Sequence, residues 1–177
     1  MAGYLELIIG CMWSGKSSRL LDIYNTLIEQ GEKPIIINHT MIKTDSSTLV
    51  THDNKEQVCI FIDHLHNKYI PLHIKYILIN EGQFFPDLYL WVKTMVNTYH
   101  KHIYIAGLNG DFEKKGFSNI LSLIPECDSI IKLNAKCSMC KDKDAIFSHR
   151  NTTAREQIIV TSEIYKPLCR KCYNKSI

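Results

Sequence analysis

The chain of 177 residues, 45% hydrophobic and 22% charged, has ordinary globular values and supports one domain with room for a small appendage. Its net charge of +3 permits anionic ligands without demanding nucleic acid, and no apolar run approaches the ~18 residues of a membrane span. The N-terminus runs straight into a strand, so the expectation is a soluble, cytoplasmic protein without a signal peptide, and some of its seven cysteines then read better as metal ligands than as disulfides with one thiol left over.

The first element is an apolar run over residues 5–9, suited to a buried parallel strand. It leads into Gly10-Cys11-Met12-Trp13-Ser14-Gly15-Lys16-Ser17, which fits the phosphate-loop pattern G-x-x-x-x-G-K-[ST]. Residues 17–30 follow with Leu20, Leu21, Tyr24, Leu27 and Ile28 at helical spacing, closed by Gly31. Strand, glycine turn and helix are the context the pattern needs, because consecutive backbone N–H groups and the helix N-terminus then face the phosphates. Lys16 would reach the β- and γ-phosphates of a nucleoside triphosphate, Ser17 would meet magnesium, and Ser18 completes the nucleotide-binding set.

A second buried strand is expected at 34–38, a polar surface loop at 40–56, and a short strand at 58–62. His64 and His66 read as surface or packing residues. Strands at 74–79, 103–107 and 129–133, with an amphipathic helix at 88–99 between them, alternate strand and helix. That alternation predicts an α/β fold with a doubly wound, mostly parallel sheet of phosphate-loop type, its site at the carboxyl ends of the strands. Just past residue 79 lies Asn80-Glu81-Gly82-Gln83-Phe84-Phe85-Pro86. A carboxylate there would project toward the phosphate loop, where it can take the proton of an attacking hydroxyl or help hold magnesium. Phe84 and Phe85 could supply an apolar wall for a flat base.

Cys137-Ser-Met-Cys140 and Cys169-Arg-Lys-Cys172 are two C-x-x-C units, and four thiolates from two knuckles satisfy a closed tetrahedral zinc site. Such a zinc would pinch together the ends of 141–168, within which 144–149 and 157–161 read as a small hairpin. Cys11, Cys59 and Cys127 lack this spacing and read as small packed residues. The division expected is a nucleotide-binding unit over 1–134 and a zinc-knuckle unit over 135–177.

These motifs in this order, with Ala106-Gly-Leu-Asn-Gly-Asp-Phe112 between them, resemble the thymidine kinase family of the cellular and large-DNA-virus type from Leu5 to Tyr173. The resemblance implies transfer of the γ-phosphoryl of ATP to the 5′-hydroxyl of thymidine or deoxyuridine, with ATP, Mg²⁺ and structural Zn²⁺. It makes Glu81 the catalytic base and stacks Phe84 near the thymine, with Met12, Leu108, Phe112 and Phe117 lining the nucleoside pocket. It reads 141–168 as a lasso over the nucleoside, in which Phe147, Ser148, a strand of Glu156, Gln157, Ile158, Ile159 and Val160, and Tyr165 face the substrate. Assembly as a dimer or tetramer is implied as well. The sequence departs from the pattern at Asn80, where the family carries an Asp that acts on magnesium, and at Val160 and Thr161, where it carries a glycine pair. Lys43 is the nearest cation to the place of a family arginine, and Arg150 matches another arginine that meets phosphate or a surface ion pair. Two competing classes are a nucleic-acid-stimulated ATPase with a zinc knuckle and a catalytically weakened nucleotide-binding homologue.

Overall fold

The computed structural model describes residues 2–42, 48–50, 56–152 and 154–176. Lys43 and the Thr51-His52-Asp53 stretch lie outside the described residues. In chain order the elements are β1 (Tyr4–Gly10), α1 (Lys16–Glu29), β2 (Ile35–His39), β3 (Thr48–Val50), β4 (Glu56–Val58), β5 (Ile60–Ile62), β6 (Tyr76–Ile79), α2 (Leu88–Asn97), β7 (His102–Leu108), α3 (Ser118–Leu121) and β8 (Ser129–Leu133). The C-terminal part adds β9 (Ala135–Lys136), β10 (Asp144–Ala145), β11 (Phe147–Arg150), β12 (Tyr165–Leu168) and α4 (Arg170–Tyr173).

A six-stranded sheet in the order β5-β2-β6-β7-β1-β8 forms the centre, and all of its ladders are parallel. Successive residues of a strand face opposite sides, and both sides are covered, which is why these strands read as unbroken apolar runs. Leu5, Leu7, Ile9, Ile77, Ile79, Ile103 and Ile105 pack with Leu88, Val92 and Val96 of α2 on one face. Ile8, Ile36, Leu78 and Ala106 meet Leu20, Leu21 and Leu27 of α1 on the other. The expected doubly wound parallel sheet is therefore present. Winding this way leaves the carboxyl ends of β1, β2, β6 and β7 as neighbours.

Three local expectations are corrected. The polar stretch before residue 58 contains the antiparallel pair β3/β4, and Leu49 is buried in the α1-side core. The expected 58–62 strand consequently breaks at Cys59: Val58 pairs with Thr48, while Ile60–Ile62 forms the sheet edge. Helix α2 ends at Asn97, two residues short of its expected limit, with Tyr99 half-exposed and His100 at φ 53°.

The largest correction concerns the C-terminal hairpin. Phe147–Arg150 pairs antiparallel with Tyr165–Leu168, and 156–160 is not a strand. The knuckles decide this: β12 runs directly into Cys169 and β9 into Cys137, so closing the cysteine cluster brings β12 beside the chain that leaves the first knuckle. The carbonyls of Ala154 and Glu156 are meanwhile taken by the Arg150 guanidinium, which removes them from strand pairing.

Candidate active site

The phosphate loop leaves β1 at Gly10, where a Cβ would lie 2.4 Å from the Leu133 carbonyl oxygen and 2.6 Å from Ser14 Oγ, so only glycine fits. Trp13 (φ 64°) and Gly15 (φ 80°) take left-handed conformations that turn the loop back onto the start of α1. Lys16, 7% exposed, donates from Nζ to the Cys11 carbonyl at 2.7 Å, and Ser14 Oγ donates to the same oxygen at 2.9 Å. Burial pushes the Lys16 ammonium below the ordinary lysine range, while the charge of Glu81 opposes that fall. A desolvated cation resting on a neutral carbonyl is well prepared to exchange that partner for an anion.

Two consecutive residues at the end of β6 face the loop. Asn80, 2% exposed, accepts the Ser17 hydroxyl on Oδ1 at 2.9 Å and donates from Nδ2 to Asn38 Oδ1 at 3.3 Å. The same Asn38 oxygen accepts the His39 amide at 3.1 Å. Glu81 is forced into a left-handed conformation (φ 54°, ψ 44°), the sort of strain that clusters where a side chain must be aimed. Its Oε2 accepts Gln83 Nε2 at 2.6 Å, and Gln83 Oε1 accepts the Leu108 amide at 2.9 Å, so the carboxylate is braced against the end of β7.

Between these groups lies a cleft of about 560 Å³, a size suited to small ligands. Trp13, Ser14, Gly15, Lys16, Ser17, Ser18, Asn80 and Glu81 line one part of it. Met12, Phe84, Leu108, Phe112, Phe117, Ser148, Gln157, Ile158, Ile159, Val160 and Tyr165 line the rest. The His39 ring packs against Phe84 with centroids 5.8 Å apart and fixes that wall from behind.

Five expected residues are absent from the lining. Gly10 and Cys11 form the buried start of the loop, Cys11 packing among the C-terminal cysteines. Phe85 is fully buried in the main core, and Phe147 packs on Tyr173 with ring centroids 4.9 Å apart. Glu156 is exposed and joins the site only by offering its carbonyl to Arg150. Met41, Ile42, Leu49, Gly110, Asp111 and Thr161 line the cleft without having been anticipated. The apolar pair Met41-Ile42 within a polar stretch was the available signal for two of them.

Arg150 is not the exposed residue that a surface ion pair would need. It is 4% exposed, bonds the carbonyls of Ala154 and Glu156, and stacks its guanidinium 3.5 Å over the Phe112 ring, so it shapes the segment above the cleft. Tyr173 OH in turn donates to the Phe112 carbonyl.

The sulfurs of Cys137, Cys140, Cys169 and Cys172 all lie within 4.8 Å of one another. The Cys140–Cys169 separation is 3.9 Å, close to the ~3.8 Å edge of a tetrahedron with Zn–S near 2.3 Å. Burial alone would raise the Cys137 thiol, but the amides of Cys140, Cys169 and Met139 outweigh it and bring it down to about 6. Cys172 is pushed up to about 12 by burial and by the neighbouring sulfurs, a crowding of thiols that a divalent cation would relieve. The cluster has the donor set and spacing of a zinc site.

A glycine loop between a buried strand and a helix, with a braced carboxylate at a neighbouring strand end, defines the phosphate-loop class of α/β proteins. Within that class the assignment narrows sharply. A family model described as thymidine kinase matches residues 3–173, and the chain belongs to that family. The thymidine kinase of Myxoma virus (strain Uriarra) is 37% identical over 178 residues, covering 97% of this chain and 96% of the relative. That of Sheeppox virus (strain KS-1) is 38% identical over 173 residues, covering 97% of each chain. That of Monkeypox virus is 35% identical over 173 residues, also covering 97% of each.

Proposed function

We propose that this protein transfers the γ-phosphoryl group of ATP to the 5′-hydroxyl of thymidine, and of deoxyuridine, giving the 5′-monophosphate. The observation that carries the reading is a single cleft joining the phosphate loop to an aromatic pocket, with the Glu81 carboxylate between them. On this reading the triphosphate lies along residues 12–18, and Lys16 leaves the Cys11 carbonyl for the β- and γ-phosphates. Glu81, held by Gln83, accepts the hydroxyl proton as the phosphorus–oxygen bond forms and the bond to the leaving ADP oxygen breaks. The base is held against Phe84 and by the backbone of the segment above, whose buried hydrogen bonds discriminate between bases.

The hydroxyl of Ser17 and the amide oxygen of Asn80 are hard donors on one side of the loop, which suits a magnesium ion that keeps several waters and phosphate oxygens. Magnesium supplies neutralisation of the charge on the transferring phosphoryl group. The four thiolates would hold zinc in a structural role. In the same proposal, 1–134 supplies the donor half and 135–177 the cover, and the chain works as a cytoplasmic dimer or tetramer.

Purified protein, labelled ATP and a panel of deoxynucleosides, with and without single-stranded DNA, test the reading. Thymidine-dependent transfer is expected; DNA-stimulated hydrolysis without nucleoside transfer would overturn it. Glu81→Gln should lower transfer by roughly 10²- to 10⁴-fold while leaving ATP binding near wild type, as removal of a general base does.

A further inference from the structure

Residues 157–161 border the cleft with little burial to hold them. Ile158 and Val160 are 36% and 47% exposed, so apolar contact contributes modestly to keeping the segment in place. Among the described residues, one side-chain hydrogen bond reaches from it to the opposite wall. Asp111, 6% exposed, spends Oδ1 on the amides of Glu113 (2.9 Å) and Lys115 (2.8 Å), which folds its own turn after β7. Its Oδ2 accepts Gln157 Nε2 at 3.0 Å, a bond between residues 46 apart in the chain. Bonds to a carboxylate are the stronger kind, and this one joins two neighbours of Phe112 and Ile158, both on the cleft wall. Arg150 differs in kind. It sits at the root of the segment, where it bonds the carbonyls of Ala154 and Glu156 and stacks on the Phe112 ring, so it braces the start of the segment.

We infer that Asp111 and Gln157 form a catch that holds residues 156–160 over the acceptor end of the cleft, so that both are positioning residues for the nucleoside. The inference rests on the proposed nucleoside kinase reading. Entry and exit of a nucleoside require the segment to move, and a single side-chain bond can open and re-form in each turnover. Weakening the catch costs free energy in the closed state, the one the bound nucleoside requires. It therefore raises KM for the nucleoside, while the donor site on the far side of Glu81 is untouched.

The test inverts the polarity of the bond. Gln157→Glu sets a second carboxylate against Asp111. Adding Asp111→Asn restores one donor to one acceptor, because Asn keeps Oδ1 for its turn and offers Nδ2 to the introduced carboxylate. Gln157→Glu is expected to raise KM for thymidine about fivefold, with kcat and KM for ATP within about twofold, and to speed tryptic cleavage at Arg155 in the presence of thymidine. The double variant should return KM and cleavage toward wild type, with Asp111→Asn alone completing the cycle. An unchanged KM for Gln157→Glu, or a double variant no better than it, overturns the catch. A loss of thermal stability without a thymidine-specific rise in KM makes the pair merely structural and overturns it too. If the wild type transfers nothing to thymidine, the functional reading has failed instead. In that case cleavage at Arg155 in the nucleoside-free protein still judges the catch, which falls if the double variant does not recover protection.

Discussion

Every polar atom of the Asn80 side chain is committed, and this sets what a substitution there must do. Oδ1 faces Ser17, and Nδ2 faces an Asn38 oxygen that already accepts the His39 amide. In Asn80→Asp the added negative charge should draw magnesium more strongly, so half-maximal activity should come at a severalfold lower Mg²⁺ concentration. The same change puts oxygen against oxygen at Asn38, and turning the Asn38 amide would strand the His39 N–H. We therefore expect Asn80→Asp to lose about 1–2 kcal/mol of stability, read from urea unfolding, while its magnesium requirement falls. Identical magnesium titrations for the two proteins would show that the neutral oxygen suffices. Gln83 is a second case. Gln83→Met keeps the bulk but removes the amide that joins Glu81 to the Leu108 N–H, and a loosely aimed base should lower kcat by roughly 10-fold or more with ATP affinity kept. An unchanged kcat would mean that backbone strain alone aims Glu81. Lys16, Ser17, Asn80 and Glu81 were legible in the sequence because short motifs place them. Gln83 was not, because its second partner is 25 residues away and no periodicity links the two.

At the scale of elements, the parallel strands were readable because burial on both faces makes each an uninterrupted apolar run between polar turns. What failed were segments whose conformation is set from a distance. Residues 156–160 carry an apolar run, yet Arg150 takes the neighbouring carbonyls and the cysteine knuckles select β12 as the partner of β11. The same limit applies to the turn before β6. Lys101, 3% exposed, donates from Nζ to the carbonyls of Pro71 (3.4 Å), Leu72 (2.8 Å) and Ile74 (2.6 Å), so one ammonium organises the turn that delivers the chain to Tyr76. Burial lowers its pKa from the ordinary lysine value. A lone lysine before a strand carries no sequence sign of such a role. Lys101→Met should leave those carbonyls without their donor and cost about 2–3 kcal/mol in urea unfolding, with KM for both substrates unchanged because the turn lies away from the cleft lining. A stability loss below about 0.5 kcal/mol would mean that water replaces the ammonium at no cost.

At the scale of the molecule, three consecutive residues of the phosphate loop are tied to the cysteine-bearing part of the chain. Cys11 Sγ donates to the Ala145 carbonyl at 3.4 Å, the Met12 amide to Ser148 Oγ at 2.9 Å, and Trp13 Nε1 to the Tyr165 carbonyl at 3.3 Å. Cys11 also packs in one apolar cluster with Ala145, Leu168 and three of the clustered cysteines. On the proposed function, the loop that grips the donor is thus shaped partly by the part that covers the acceptor. In structural zinc sites the metal's binding free energy, on the order of 10 kcal/mol in small domains, is spent on folding the surrounding chain. Stripping zinc with a chelator should therefore loosen β9 to α4, expose the Cys11 thiol to alkylation, and weaken ATP binding by about tenfold or more along with thymidine binding. The change should be visible in Trp13 fluorescence and reversed by added Zn²⁺. The competing expectation is that the loop holds itself, through Lys16 and Ser14 on the Cys11 carbonyl and the left-handed turns at Trp13 and Gly15. In that case metal removal abolishes thymidine binding while ATP affinity and Cys11 protection stay at their zinc-loaded values. The two outcomes separate because Cys11, Met12 and Trp13 contact the cysteine-bearing part, whereas among the described residues the hydrogen-bond partners of the Glu81 and Asn80 side chains lie in the first part.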